Sequence, residues 1–233
     1  MILTAVGLVA APVRAATRKN HAVFLGAFKR VPYSKAGDPS GAAADETALK
    51  IRPLLVDGTV KEWTTGDAHD VTDRSFVVRR VIKLNDTLPS ATASAQAGQT
   101  HWVWQRGPWL LVDRTSGHVT ALKLPDYDPG VSQVIWFRDY AAYCGVTTTG
   151  KSLYAVVAQL AVRKPVLVKK LSAFDTDGQG PACGVTEWQR DPMRITFHPA
   201  GQSAVSFNLV PGSAVLVEDS DDEPETAQPA KTN

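Results

Sequence analysis

The densest cluster of side chains that could do chemistry lies in the stretch GDAHDVTD, residues 66–73, just after Trp63. It carries three carboxylates and one imidazole, those of Asp67, His69, Asp70 and Asp73. Mixed oxygen and nitrogen donors of this kind can bind a divalent cation, and neighbouring carboxylates raise the affinity. The same residues also suit an ordinary turn between strands, because Asp side chains hydrogen-bond nearby backbone groups. The sequence leaves both interpretations open and predicts no cofactor other than this divalent cation.

The chain contains no sequence motif of a known nucleophile or phosphate-binding loop: Gly-X-Ser-X-Gly, the Walker loop, Gly-X-Gly-X-X-Gly and His-Glu-X-X-His are all absent. Basic residues occur in two groups, Arg79 with Arg80, and a second group around an apolar run, which consists of Arg163, Lys164, Lys169 and Lys170. They could contact phosphate or an acidic glycan, or could simply protect exposed strand edges from pairing. No recognised nucleic-acid-binding motif accompanies them, and we expect no nucleic-acid partner.

Only two cysteines are present, Cys144 and Cys183. An even number of cysteines in an exported chain favours a disulfide, which we predict here. The alternative is two unrelated buried thiols.

The apolar pattern that must position these residues is that of β-strands. The stretch SFVVRRVIKL, residues 75–84, alternates between two faces and reads as a half-buried strand that carries Arg79 and Arg80. Residues 90–99, SATASAQAGQ, have no bulky apolar side chain and predict a flexible connection. We therefore predict an all-β domain over residues 16–217.

A repeat begins near residue 100. Each of its three copies contains Trp, any residue and Arg, then a strand, a turn closed by glycine, and a second strand. The three signatures are Trp104 with Arg106, Trp136 with Arg138, and Trp188 with Arg190, and the turn glycines are Gly117, Gly150 and Gly201. Glycine suits this place because a tight hairpin turn often needs a positive φ.

This repeat, over residues 100–217, resembles the TolB-like and WD-type β-propeller repeats. The resemblance implies a propeller-like stack of antiparallel hairpins, in which four to eight blades normally close the ring. The copies differ in spacing, and Arg138 and Asp139 stand where such repeats often have Pro-Asp-Gly. A β-sandwich or an open barrel built from hairpins is therefore the alternative fold. A third possibility is a propeller part that completes its ring with another chain.

The two ends of the chain differ from the body. Residues 1–15 are apolar and small, with Val13 and Ala15 before a signal-peptidase-like cleavage point, which predicts a signal peptide. Residues 218–233 carry six acidic residues and one lysine, a net charge of −5, and predict a disordered acidic tail. Since the formal total is +2, the remainder carries +7. No later segment is apolar for long enough to cross a membrane, so we expect no span in the mature chain.

These observations favour an exported, non-enzymatic β-repeat protein, periplasmic or secreted, that acts as a binding or scaffolding module in the cell envelope. Its expected partner is a protein or a glycan. The alternative is a hydrolase or lyase that uses the Asp67–Asp73 loop, with or without a metal.

Overall fold

The computed structural model describes residues 20–34, 47–86, 101–173, 182–211 and 213–217. The predicted signal peptide, the flexible connection at 90–99 and the acidic tail lie outside these residues. Within the described ranges the chain forms fifteen β-strands and no helix. The strands are β1 (Val23–Leu25), β2 (Lys29–Pro32), β3 (Ala48–Val56), β4 (Thr59–Thr72), β5 (Ser75–Asn85), β6 (Trp102–Asp113), β7 (Val119–Ala121), β8 (Ile135–Phe137), β9 (Tyr140–Val146), β10 (Ser152–Gln159), β11 (Leu167–Ala173), β12 (Glu187–Gln189), β13 (Arg194–Phe197), β14 (Val205–Val210) and β15 (Ser213–Leu216).

Three antiparallel sheets contain these strands. The N-terminal sheet has the order β1-β3-β4-β5-β6-β7, with β2 paired to a different part of β3. The middle sheet runs β11-β10-β9-β8 and the C-terminal sheet runs β12-β13-β14-β15. In the part of the chain that the structure describes, none of the three closes into a barrel. The predicted all-β class with antiparallel sheets is therefore confirmed, and the sheets fit a sandwich-like arrangement.

The N-terminal sheet buries different faces at its two ends. Along β3 the buried positions change from Leu49 and Ile51 to Leu54 and Val56, from odd to even numbers. Register irregularities interrupt the β3–β4, β4–β5 and β5–β6 pairings. Because an irregularity of this kind shifts the alternation of side chains, one set of strands can supply two separate apolar clusters. A single parallel bridge between Tyr33 and Trp104 brings the chain after β2 beside β6.

The middle sheet is buried on both faces. Ala142, Ala155 and Val157 face the C-terminal sheet and pack with Ile195 and Phe197. The opposite face of the same strands carries Ala141, Tyr143, Val156 and Ala158, which pack with Trp109 and Tyr127 of the preceding segments. Burial on both faces explains why β9 and β10 are almost continuously apolar. The three sheets therefore form successive layers in chain order.

Cys144 of β9 and Cys183, just before β12, form a disulfide with their Cα atoms 6.2 Å apart. Both are buried in the cluster between the middle and C-terminal sheets. The predicted pairing agrees with the structure, and it joins two layers whose cysteines are 39 residues apart in sequence.

The second and third repeat copies have the same layout. In each, the tryptophan lies in a three-residue strand, β8 or β12, and two longer strands and a fourth strand follow. The three turn glycines all adopt positive φ, 66° at Gly117, 67° at Gly150 and 71° at Gly201, as the sequence predicted.

The first copy departs from the predicted layout. Trp104 does not precede a break between strands, since β6 runs without interruption from Trp102 to Asp113. The β5–β6 register shifts at Gly107 and Pro108: Arg79 pairs with Trp109, and Val81 pairs with Arg106. The long partner strand β5 offers hydrogen bonds along this whole length, and a bulge stands where the second and third copies have a turn.

The turn predicted for residues 66–73 is also wrong for most of that stretch. Strand β4 continues to Thr72, and His69 and Asp70 pair with Val77 and Phe76 of β5. Only Asp73 and Arg74 form the turn between the two strands. Polar side chains are tolerated in this strand because most of them lie at or near the surface. The described residues include no helix of the length and apolar character that a membrane span requires.

Candidate functional site

A cleft lies between the N-terminal sheet and the connection from β7 to β8. Its volume is about 240 Å³, and we call it the Arg79 cleft. Strands β4, β5 and β6 and residues of the connection line it: Thr65, Gly66, Asp67, Arg79, Arg106, Trp109, Tyr127, Gln133 and Val134. Aromatic rings, hydrogen-bonding groups and charged groups of both signs therefore meet in one concave site, as is typical of ligand pockets.

Arg79 is the most buried charged residue of this cleft, with 7% of its surface exposed. It sits in a row of directly paired residues, with Thr65 of β4 on one side and Trp109 of β6 on the other. Its Nη1 donates a hydrogen bond of 3.1 Å to the hydroxyl of Tyr127. The guanidinium carbon lies 5.5 Å from the ring centroid of Trp109 and 5.6 Å from that of Tyr127. Two aromatic rings thus hold the guanidinium in place.

Arg106 brings a second guanidinium to the same cleft. Its Nη1 donates a 2.7 Å hydrogen bond to the hydroxyl of Tyr33. The guanidinium carbon is 4.9 Å from the Tyr33 ring centroid, and the residue is half-buried. Arg106 reaches this position because β6 is continuous, which places it opposite Val81. Two arginines that line one small cleft favour an anion there, since a planar guanidinium pairs well with carboxylate or phosphate.

A bulge in β4 places Asp67 at the cleft. The β4–β5 pairing shifts register between Thr65 and His69, which leaves residues 66–68 outside the regular ladder. Gly66 has a φ of 69°, which residues with a Cβ rarely adopt. Its carbonyl accepts a 3.0 Å hydrogen bond from the Arg52 side chain. Bulges often re-aim a side chain next to a functional site. Here the bulge places Asp67 among the residues that line the cleft together with the two arginines.

The connection that covers the cleft is attached to β9. The buried Ser132 hydroxyl donates to the carbonyl of Cys144 and accepts from its amide, both at 2.9 Å. The Tyr143 hydroxyl donates a 2.7 Å hydrogen bond to the carbonyl of Pro125. Burial raises the pKa of Tyr143 far above its usual range, and nearby Asp126 and Tyr127 add to the shift. These bonds hold Pro125 and Ser132, which flank Tyr127, and Ser132 immediately precedes Gln133.

The four residues proposed for a metal site have different surroundings. Asp67 lines the Arg79 cleft, and Asp73 lies in the β4–β5 turn. The Nε2 atom of His69 is 2.8 Å from the carbonyl of Arg138, and Asp70 forms a 2.6 Å ion pair with Arg114. Across the described ranges, no three His, Cys, Asp or Glu residues are grouped closely enough to hold a metal ion.

The repeat tryptophans contact the preceding layer. Trp136 stacks on His69 and meets Trp109 edge-on, with ring centroids 6.2 and 5.4 Å apart. Trp188 stacks on Phe137 at 5.3 Å and its Nε1 donates to the carbonyl of Ile135 at 3.2 Å. Tryptophan therefore joins the middle sheet to the N-terminal sheet, and the C-terminal sheet to the middle sheet. Arg138, with φ 53°, and Arg190 are exposed residues of the turns that follow β8 and β12.

Sequence reasoning placed Arg79 in a basic cluster and Arg106 in the repeat signature, but it did not bring them together. It missed Trp109, Tyr127 and Gln133 entirely. One signal was present: Arg79 stands between Val77 and Val81, on the face of a strand whose neighbouring positions are apolar. No protein-family model, curated protein or solved structure matches this chain.

Proposed function

We propose that the protein is an exported, non-enzymatic β-repeat module that binds or scaffolds a partner in the cell envelope, and that the Arg79 cleft binds an anionic group of that partner. The observation that carries this proposal is the arginine at the cleft, more than nine-tenths buried and held by two aromatic rings. A charge kept this far from water interacts strongly with an anion that enters the cleft, because the local dielectric constant is low.

The separate surroundings of Asp67, His69, Asp70 and Asp73 favour binding over a hydrolase or lyase, with or without a metal, that would use these residues as one site. The disulfide supports export to a periplasmic or secreted location, because disulfides persist in oxidising compartments. Expression of the full chain in a bacterial host that exports proteins tests this part. We expect mass spectrometry to find a mature chain that starts at residue 16, whereas an unprocessed chain with reduced cysteines would contradict export.

Small anions test the binding site. The melting temperature is measured in sodium acetate, sodium benzoate and sodium sulfate, each against sodium chloride of equal ionic strength. A ligand at 100 times its dissociation constant stabilises by about 2.7 kcal/mol. For a chain of this length each kcal/mol corresponds to about 2–4 °C.

We expect at least one of these anions to raise the melting temperature of the wild type and to lose this effect in Arg79→Met. Sulfate also stabilises proteins by exclusion from their surface, so the difference between wild type and variant is the informative quantity. An equal rise in melting temperature in the wild type and in Arg79→Met would contradict the proposal. Arg106→Gln provides a second, half-buried position should Arg79→Met fail to fold.

The repeat architecture supports a second part of the proposal, that the middle and C-terminal sheets are propeller-type blades. Both are four-stranded antiparallel meanders, and the tryptophan of each contacts the layer before it. A two-layer sandwich attached to the N-terminal sheet is the competing description. A crystal structure decides between them, since blades would be arranged around a common axis. Light scattering that shows a monomer would count against a ring completed by another chain.

A further inference from the structure

The Arg79 cleft contains a carboxylate as well as two guanidinium groups. Asp67 is exposed on its bulge, and the cleft residues together carry two positive charges and one negative charge. A phosphate dianion would be attracted by the arginines but repelled by Asp67. A ligand with a single negative charge and hydroxyl groups fits better, because hydroxyls donate hydrogen bonds to a carboxylate.

The cleft also contains neutral polar groups that could form hydrogen bonds with the hydroxyls of a ligand. The amide of Gln133 and the hydroxyls of Thr65 and Tyr127 belong to residues that line the same cleft. Trp109 and Tyr127 supply aromatic surface, against which the apolar face of a sugar ring can pack. The donor and acceptor set therefore fits a carboxylated sugar: the carboxylate bound by arginine, and the hydroxyls bound by Asp67, Gln133 and Tyr127.

A second groove continues from the cleft. Its volume is about 720 Å³, and it shares Thr65, Gly66, Asp67 and Arg106 with the Arg79 cleft. It adds Arg30 of β2 and Lys50 of β3, which are exposed and directly opposite each other in the antiparallel pair. Like charges directly opposite each other destabilise a sheet, and an anion bound between them removes that repulsion. The groove therefore offers two paired positive charges for a second anionic group of the same ligand.

We infer that the ligand of the Arg79 cleft is an acidic glycan built from uronic acid residues, with one carboxylated sugar in the cleft and a neighbouring one in the groove. This inference rests on the proposed binding function and specifies its ligand.

The test is isothermal titration calorimetry at low salt and pH 7. The probes are D-galacturonate, the (1→4)-linked trimer of galacturonate, neutral galactose and galactose 6-phosphate. We expect the trimer to bind about tenfold more tightly than the monomer, since it engages both subsites, and galactose to bind at least tenfold more weakly than galacturonate. Galactose 6-phosphate should bind more weakly than galacturonate.

Variants separate the two subsites. Arg79→Met should weaken both the monomer and the trimer about tenfold or more, and Arg106→Gln is the milder substitution if that variant does not fold. Lys50→Gln should reduce the affinity for the trimer and leave the monomer unchanged. Asp67→Asn should reverse the preference, weakening galacturonate and strengthening galactose 6-phosphate. Lys169→Gln removes an exposed positive charge from the edge strand β11, outside the cleft, and should change nothing.

The outcomes distinguish the uronic acid ligand from the proposed anion-binding function. If galactose 6-phosphate binds as tightly as galacturonate in the wild type, or if Asp67→Asn leaves the preference unchanged, the uronic acid assignment is wrong. If no sugar binds but the small anions still protect through Arg79, the proposed binding function stands and the glycan inference falls. If neither sugars nor small anions depend on Arg79, both are wrong.

Discussion

Loss of the Cys144–Cys183 disulfide should remove about 4 kcal/mol from the free energy of unfolding. The two cysteines close a loop of 39 residues. In the chain-entropy model a loop of that length restricts the unfolded state by about 13 cal/mol/K, which is about 4 kcal/mol at 25 °C. Replacement of both cysteines by alanine also removes two buried sulfur atoms, at about 0.8 kcal/mol each, so we expect about 5–6 kcal/mol for the double variant.

The assay is urea unfolding monitored by tryptophan fluorescence, with and without reductant. Reduction should lower the midpoint and raise the slope, because the reduced unfolded chain exposes more surface. Val157→Ala is the matched control, since Val157 is buried in the same cluster but is not cross-linked. It should lower stability by itself while reduction still removes about 4 kcal/mol from the variant.

A change on reduction of less than about 1 kcal/mol would refute this reasoning, since the loop would then not be restrained by the bond. An effect of reductant on the double alanine variant would equally refute it, because no bond remains there to be reduced.

Three further predictions concern other parts of the chain. Gly150→Ala and Gly201→Ala should each lower the free energy of unfolding by about 1–2 kcal/mol, because both glycines have positive φ. Backbone strain is the whole cost there, since an added Cβ would meet no atom within 4 Å. Gly117→Ala should cost more in the same urea assay, because its Cβ would lie 2.6 Å from Val56. Tyr143→Phe should cost about 1–3 kcal/mol by leaving the Pro125 carbonyl without its donor. Since burial raises the Tyr143 pKa in the folded state, its contribution to stability holds below pH 10 and is lost as the pH rises further; alkaline unfolding of Tyr143→Phe should therefore depend less on pH. Zn²⁺ and Ca²⁺ should leave the melting temperature unchanged. Asp70→Asn should lower the free energy of unfolding by about 0.2–1 kcal/mol, because it removes an exposed ion pair with Arg114. A rise in melting temperature with either metal that is lost in this variant would instead support the metal-site hypothesis.

The parts of the fold that follow from local rules could be predicted from the sequence. Alternation of apolar residues predicted strands, and the three turn glycines were placed correctly because a positive φ is a property of a single position. The cysteine pairing followed from an even count. None of these predictions required knowledge of which strands are neighbours.

The features that depend on pairing between distant strands could not be predicted in the same way. The continuity of β6 and of β4 is decided by β5, which pairs with both of them. A polar stretch such as residues 66–73 predicts a turn when it is considered alone, yet it remains a strand when a long partner lies beside it. The bulge at Gly66 becomes visible only in the register of two strands.

The candidate site needs a further level of organisation. Its residues run from Thr65 to Val134, and they meet only when the β7–β8 connection packs over the N-terminal sheet. That packing depends on Ser132 and Tyr143, which attach the connection to β9 of the next layer. A sequence pattern confined to one strand therefore cannot reveal the cleft, although the arginine between Val77 and Val81 marks one of its members.

The layout of the repeat explains why Arg106 is placed differently from the other two signature arginines. In the second and third copies, tryptophan joins one layer to the layer before it, while Arg138 and Arg190 are exposed in the turns that follow. Packing thus constrains the tryptophan and leaves the arginine free to vary in role. In the first copy no break follows Trp104, and the continuous strand places Arg106 on the ladder beside Arg79 instead of in a turn. The continuity of β6 at this point of the first copy is what places the second guanidinium at the cleft.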